Sequence, residues 1–305
     1  MEKYMKPIIT GFFDMDTKLS LEDQLKIANK HQIDTICLRK YENRPYIELN
    51  DQEVKKIVLE LKTEKIKVAI LDPMIDSYDL YDEKKHQNAL EEFKYMVKMA
   101  DKLKATHLYY RLPKFNNVIE EYDEIYKKIE PFIDFSMRNS KKLIFIPVNN
   151  YKVNTYAYLF KKLKVNMISY LFDPQKIMNN NESTTTAYRL LKSYIGAFRT
   201  IDANHENEPE LLGYGKTDVI PIFKKLIRDR YQGFLIVDNQ FHDTIFNEKP
   251  AKQSFFKKLF VNQKKKDETE KSLLSKRIFP NEEIKNVTYD DILENQIKVV
   301  RVIFK

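Results

Sequence analysis

Glycine is scarce in this chain, with five among 305 residues, well under the usual ~7%. A phosphate-cradling loop needs glycine wherever the backbone must approach the phosphate closely. The only close pair is Gly213 and Gly215, with no third glycine and no GKS/T after it. Walker and dinucleotide fingerprints are therefore absent. A single cysteine excludes an internal disulfide and any multi-cysteine zinc or iron–sulfur site, and it fits a reduced, cytoplasmic setting. No apolar run approaches the ~18 residues of a membrane span. The first residues, MEKYMKPIITGFF, lack a secretory apolar core and a small-residue cleavage site.

What is present is a rhythm. Short β-branched and aromatic runs alternate with longer segments of helical period, the pattern of βα units on a parallel sheet. Strands are expected at Pro7–Phe13, Asp34–Leu38, Ile66–Leu71, Thr106–Leu112, Lys142–Val148, Met167–Phe172, Gly196–Ile201 and Gly233–Val237. Helical patterns follow each of them. NDQE at Asn50 has the form of a cap with a carboxylate three residues on, and an amphipathic helix is expected over Tyr289–Phe304. Eight consecutive units match a (β/α)8 TIM barrel, usually of about 250 residues. An open doubly wound sheet seldom runs to eight units without a glycine-rich first turn. The chain reads as a single barrel domain over residues 1–305, interrupted by a long basic loop over residues 242–286.

Formal net charge is +8, from 53 Lys and Arg against 45 Asp and Glu. The 242–286 loop holds eleven cations and seven carboxylates, so it supplies half of that surplus. The rest of the chain is only mildly basic, which gives no ground for a DNA-binding face across the barrel.

Four segments carry a family resemblance. They are IDTICLRKYENRPYIELNDQEVKKIVLELKTEKIKVAIL, NMISYLFDPQKI, GAFRTIDAN and LLGYGKTDVIPIFKKLIRDRYQGFLIVD. Together they resemble the xylose-isomerase-like barrel superfamily of sugar phosphate isomerases and epimerases, whose other branch is the apurinic endonucleases. The resemblance spans about residues 7–241 and the final helix. It implies one divalent cation (Mn, Mg, Co or Zn) held by a Glu after strand five, an Asp after strand six, a His on strand seven and a Glu after strand eight. It also implies proton transfer next to a carbonyl by the two Glu residues, and a sugar or sugar phosphate as substrate.

Barrel enzymes work at the C-terminal strand ends. That selects Arg39, Asp72, Arg111, Asn149, Asp173, Arg199, Asp202, Asp238 and His242. Carried over residue by residue, Asp173 matches the sixth-strand Asp, and Asp238 stands in for the eighth-strand Glu, one methylene shorter. These two are the expected catalytic and metal-binding carboxylates. Arg199 replaces the seventh-strand His, and Pro147 or Val148 stands where Glu would follow strand five. Two ligands of the four are thus missing, and a guanidinium cannot ligate a cation. The metal site is expected to be degenerate, with one cation or none. A rearranged set would draw on Asp72, Asp173, Asp238 and His205 or His242.

Arg39, Arg111 and Arg199, with Asp202, form the expected substrate-binding group, since guanidinium grips phosphate or carboxylate bidentately. The alternative for the same residues is a salt-bridge network of Arg and Asp filling a vacated site. His31 and His86 are expected at the surface, and His107, His205 and His242 near the barrel mouth. Three functions follow. The first is an isomerase or epimerase with a degenerate metal site. The second is an inactive barrel binding an anionic sugar, phosphate or protein partner. The third and most remote is an apurinic-endonuclease-like phosphodiesterase, for which five histidines are too few, so nucleic acid is not an expected partner. Self-association into a homo-oligomer is compatible with the barrel's size.

Overall fold

The computed structural model describes residues 6–14, 19–148, 151–237 and 272–305. Each apolar run becomes a strand of one eight-stranded sheet. The strands are β1 (Ile8–Gly11), β2 (Thr35–Leu38), β3 (Lys67–Leu71), β4 (His107–Tyr110), β5 (Lys142–Phe145), β6 (Ile168–Phe172), β7 (Ile195–Thr200) and β8 (Phe234–Val237). The helices between them are α1 (Leu21–Lys30), α2 (Asp51–Thr63), α3 (Glu83–Lys102), α4 (Tyr122–Arg138), α5 (Val153–Leu163), α6 (Pro174–Asn179), α7 (Thr184–Leu191) and α8 (Val219–Arg228), and α9 (Tyr289–Ile303) closes the chain. Every ladder is parallel, and the order runs β1-β8-β7-β6-β5-β4-β3-β2. This is the expected (β/α)8 barrel.

The ring of ladders stops between β2 and β1. Two threonines bridge that seam. Thr10 Oγ1 donates to the Thr35 carbonyl at 3.0 Å, and Thr35 Oγ1 donates to the Ile9 carbonyl at 3.2 Å. Thr10 is fully buried, so both hydroxyls satisfy backbone groups that water cannot reach. Cys37 lies beside this seam, and burial pushes its thiol up to about 12.

Period-two alternation divides the strand side chains between two cores. Cys37, Ile70, Tyr109, Ile144, Leu171, Ala197 and Ile236 fill the barrel interior. Their neighbours Leu38, Leu71, Leu108, Tyr110, Leu143, Phe145, Phe172 and Phe198 pack outward under the helices. The Asn50 and Thr288 caps both form reciprocal capping boxes, with Glu53 and Asp291.

Three histidines lie elsewhere than expected. His31 and His86 are buried, not at the surface. His31 Nε2 meets Asp290 Oδ1 at 3.0 Å, which docks α9 onto α1 together with the Lys30–Asp290 pair. His86 Nδ1 is hydrogen-bonded to the Tyr78 hydroxyl at 2.9 Å and lies edge-on to Phe132. A histidine on a helix with an apolar face can be drawn inward once a carboxylate or phenol satisfies its ring nitrogen. His107 opens β4, so it lies at the N-terminal end of the barrel, not at its mouth, with its ring 4.8 Å from that of Phe234.

Two measurements test this account. Thr10→Val should lower stability by about 1–2 kcal/mol, a drop in melting temperature of roughly 2–6 °C, because the Thr35 carbonyl at the seam loses its buried donor. Burial holds His107 down at about 4. The unfolded imidazole titrates near 6.5, so on acidification the unfolded state binds the proton first. Stability should therefore fall by about 1–3 kcal/mol between pH 6.5 and 4, and a urea titration across that range should show a flatter profile for His107→Gln.

Candidate ligand site at the barrel mouth

Continuing the interior alternation one step past each strand sets the mouth. Cys37 leads to Arg39, Ile70 to Asp72, Tyr109 to Arg111, Leu171 to Asp173 and Ala197 to Arg199, while on β1 Thr10 leads through Phe12 to Asp14. These residues form three ion pairs with one grammar, a carboxylate at the end of one strand and an arginine on the next. Asp14 accepts from Arg39 Nε at 2.5 Å and Nη2 at 2.8 Å. Asp72 accepts from Arg111 Nη1 at 2.8 Å and Nη2 at 2.9 Å. Asp173 Oδ2 accepts from Arg199 Nη1 at 2.8 Å.

The carboxylates form the inner layer. The side chains of Asp14, Asp72 and Asp173 are 4%, 8% and 3% exposed, against 27%, 22% and 16% for Arg39, Arg111 and Arg199. An incoming ligand therefore meets cations first. Burial opposes the charge on Arg111, but Asp72 outweighs it and holds that guanidinium above its ordinary range. Tyr109 lies among these groups with its hydroxyl proton held tightly, chiefly through burial. Phe12 completes the wall, 5.8 Å from the Tyr109 ring and beneath the Arg39 guanidinium at 5.4 Å.

Asp173 has a second duty. Its Oδ1 accepts the Lys176 N–H at 2.9 Å and caps α6, with Pro174 in the first turn. The Asp-Pro pair is thus a helix start, and both carboxylate oxygens are engaged.

Asp202 faces a loop. Its oxygens accept the N–H groups of Ala203, Gly213, Gly215 and Thr217 at 2.9–3.2 Å and the Thr217 hydroxyl at 2.8 Å. These bonds gather the β7–α8 loop around one buried carboxylate. Gly215 permits this, since a Cβ there would lie 2.2 Å from Asp202 Oδ1 and 2.4 Å from the Ala203 carbonyl. The described end of the basic loop rests on the same segment. Leu274 packs with Leu211 and Ile292, and Arg277 reaches Glu210 at 3.1 Å and lies over the Tyr214 ring.

Asn149, Asp238 and His242 lie outside the described residues. His205 is exposed on the β7–α8 loop. Asp14 was missed from sequence, although the alternation Thr10, Phe12, Asp14 was the signal for it. On β5 the inward position is Ile146, which packs with the interior core. Pro147 and Val148 follow it, so no carboxylate enters from that side. Among the described residues no three His, Cys, Asp or Glu side chains gather as a metal site. Among the described residues the donors do not fit the divalent cation that the fold implies. One carboxylate position is aliphatic, the histidine position is a guanidinium, and Asp173 is bonded to that guanidinium.

The fold defines a (β/α)8 barrel of the TIM type. Residues 25–258 match the model of the xylose isomerase-like TIM barrel family, and the chain belongs to that family. No curated protein sequence matches the chain. Among solved structures it is similar to a D-psicose 3-epimerase with D-tagatose from Clostridium cellulolyticum H10, at 11% identity and TM-score 0.66, over 99% of this chain and 100% of that one. It is similar to the IOLI protein with a bound zinc atom, at 16% identity and TM-score 0.65, over 78% and 89%. It is also similar to the probable 3-DHS dehydratase AsbF from Bacillus anthracis, at 12% identity and TM-score 0.62, over 79% and 94%. At these identities the likeness shows the fold alone.

Asp202→Ala should destabilise the protein by about 3 kcal/mol or more, since four loop N–H groups lose their acceptor. Gly215→Ala should act in the same direction by forcing the carboxylate away. Thermal unfolding together with limited proteolysis within residues 203–217 checks both.

Proposed function

We propose that the barrel mouth binds an anionic, hydroxylated ligand, a sugar phosphate or sugar acid, through its three Asp-backed guanidiniums, and that it does so without the divalent-metal isomerisation of its family. The observation that carries this reading is the Arg199–Asp173 pair at 2.8 Å, with Ile146 on the β5 side. Isomerisation needs a carboxylate free to take a proton from carbon. Both Asp173 oxygens already accept hydrogen bonds, one from Arg199 and one from the α6 N-terminus, so taking a proton from carbon would require one of those bonds to break. A guanidinium held from behind by a buried carboxylate is rigid and oriented, and it loses little entropy when it grips a phosphate or carboxylate. Phe12 and Tyr109 offer apolar area to a sugar ring beside those charges.

The reading is tested on the purified protein. Inorganic phosphate and glucose 6-phosphate at saturating concentration should raise the melting temperature by about 3–6 °C, and Arg199→Ala should abolish the shift. An unchanged shift in Arg199→Ala would remove the assignment of the site. Stoichiometric Mn, Mg, Co or Zn by elemental analysis, with a melting temperature lowered by EDTA and turnover of a ketose, would overturn the reading in favour of an isomerase or epimerase.

A further inference from the structure

One sector of the helical ring carries a strong local surplus of positive charge. Every helix long enough to judge carries a cation in its last turn, where the helix dipole favours it. On α1, α2, α3, α4 and α9 carboxylates in the first turn balance those cations. On α5, α7 and α8 the first turn has none. These three helices are neighbours. Phe160 at the end of α5 stacks on Tyr194 just after α7. Lys225 of α8 bonds Thr185 of α7, and Tyr188 of α7 donates to Asp229 just after α8.

Their surface carries Lys161, Lys162, Lys164, Arg189, Lys192, Lys224, Lys225, Arg228 and Arg230, with Asp229 as the one carboxylate over residues 153–164, 184–194 and 219–230. Nine cations against one carboxylate leave a surplus of eight, as large as that of the whole chain. All of these cations are exposed except Lys225, which is half-buried. Two aliphatic side chains stand among them, Leu190 at 42% exposure and Ile227 at 39%. They flank the α7–α8 junction beside Arg189 and Arg228.

We infer that the outer face of α5, α7 and α8 is a docking surface for an anionic lipid membrane, with the cations on headgroup phosphates and carboxylates and with Leu190 and Ile227 entering the interface. A specific protein interface is depleted in lysine, and this face is rich in it. A nucleic acid would use the cations and leave the two aliphatics idle. The face is the outside of a barrel and convex, so it can rest on a broad headgroup layer but cannot enclose a duplex. Cations near an anionic leaflet and exposed aliphatics add their contributions in such a setting. This surface is separate from the barrel mouth, and its test does not depend on the ligand proposed there.

The experiment is cosedimentation of the full chain with vesicles of phosphatidylcholine containing 30% phosphatidylserine, and with pure phosphatidylcholine, at ~150 mM salt. Binding is expected only to the anionic vesicles, and it should weaken at higher salt. Each cation removed should cost about fivefold, so Lys161→Gln/Lys224→Gln/Arg228→Gln should bind roughly 100-fold more weakly. The matched triple Lys55→Gln/Lys84→Gln/Lys98→Gln on α2 and α3 should bind like the parent. Leu190→Ser/Ile227→Ser should weaken vesicle binding without changing its salt dependence. Equal losses in the two triple variants, or no binding to the anionic vesicles, would overturn the inference. So would retention of a 20-base-pair duplex in place of vesicles, which would assign the face to nucleic acid.

Discussion

A carboxylate buried at the end of a barrel strand needs a positive partner or a cluster of hydrogen-bond donors, and the mouth of this protein is organised by that need. Removing an ion from water costs several kcal/mol, and only a well-placed counter-charge with further hydrogen bonds repays it. A divalent cation would satisfy several carboxylates at once from the centre of the mouth. Among the described residues the counter-charges are three arginines, each paired with a carboxylate of the preceding strand: Arg39 with Asp14, Arg111 with Asp72 and Arg199 with Asp173. In the described part of the mouth, pairing between adjacent strands holds the carboxylates. A central cation would have to compete with these arginines for the same oxygens.

Pairing between adjacent strands also makes the site depend on the barrel's closure. Arg39 on the β2 side reaches Asp14 on the β1 side, across the seam where the ladder is missing and Thr10 and Thr35 supply the bridge. A shift of β1 against β2 would separate that pair before it disturbed the other two. Asp202 does the analogous work one layer higher, fixing the loop after β7 so that its polar backbone has a buried acceptor. Both hold the elements that the guanidiniums stand on.

The barrel was legible because period-two and helical-period signals repeat eight times, and an error at one boundary does not alter the count. Arg39, Arg111 and Arg199 could be chosen as strand-end residues from the expected strand positions, but their direction depended on register, which a one-residue error reverses. What could not be read was the partner of each charge. Asp14 directly follows the expected first strand, Pro7–Phe13, yet the strand-end set omits it; the observed strand ends at Gly11, three residues before it. Asp202 has the same composition and local pattern as a ligand-facing carboxylate. Its environment is made by Gly213, Gly215 and Thr217, eleven to fifteen residues on. His31 and His86 were placed outside because helical polarity was read without the partners, Asp290 and Tyr78, that make burial tolerable.

The charge illustrates the same limit at a larger scale. Half of the surplus, assigned to the 242–286 segment, left a barrel that looked mildly basic on average. An average over the barrel mixes two populations. At its mouth Asp173, Asp202, Glu206, Glu208, Glu210 and Asp218 lie on the same stretch of chain as the cations of α5, α7 and α8, and they offset part of that charge in a count over the whole stretch. In the fold the two groups separate, because a βα unit sends strand ends to one face of the barrel and helix ends to the other. The acids are drawn toward the mouth and the β7–α8 loop, while the lysines and arginines lie along and below the helices. A basic face can therefore coexist with a nearly balanced sequence, and only the alternation of strand and helix along the chain makes it appear.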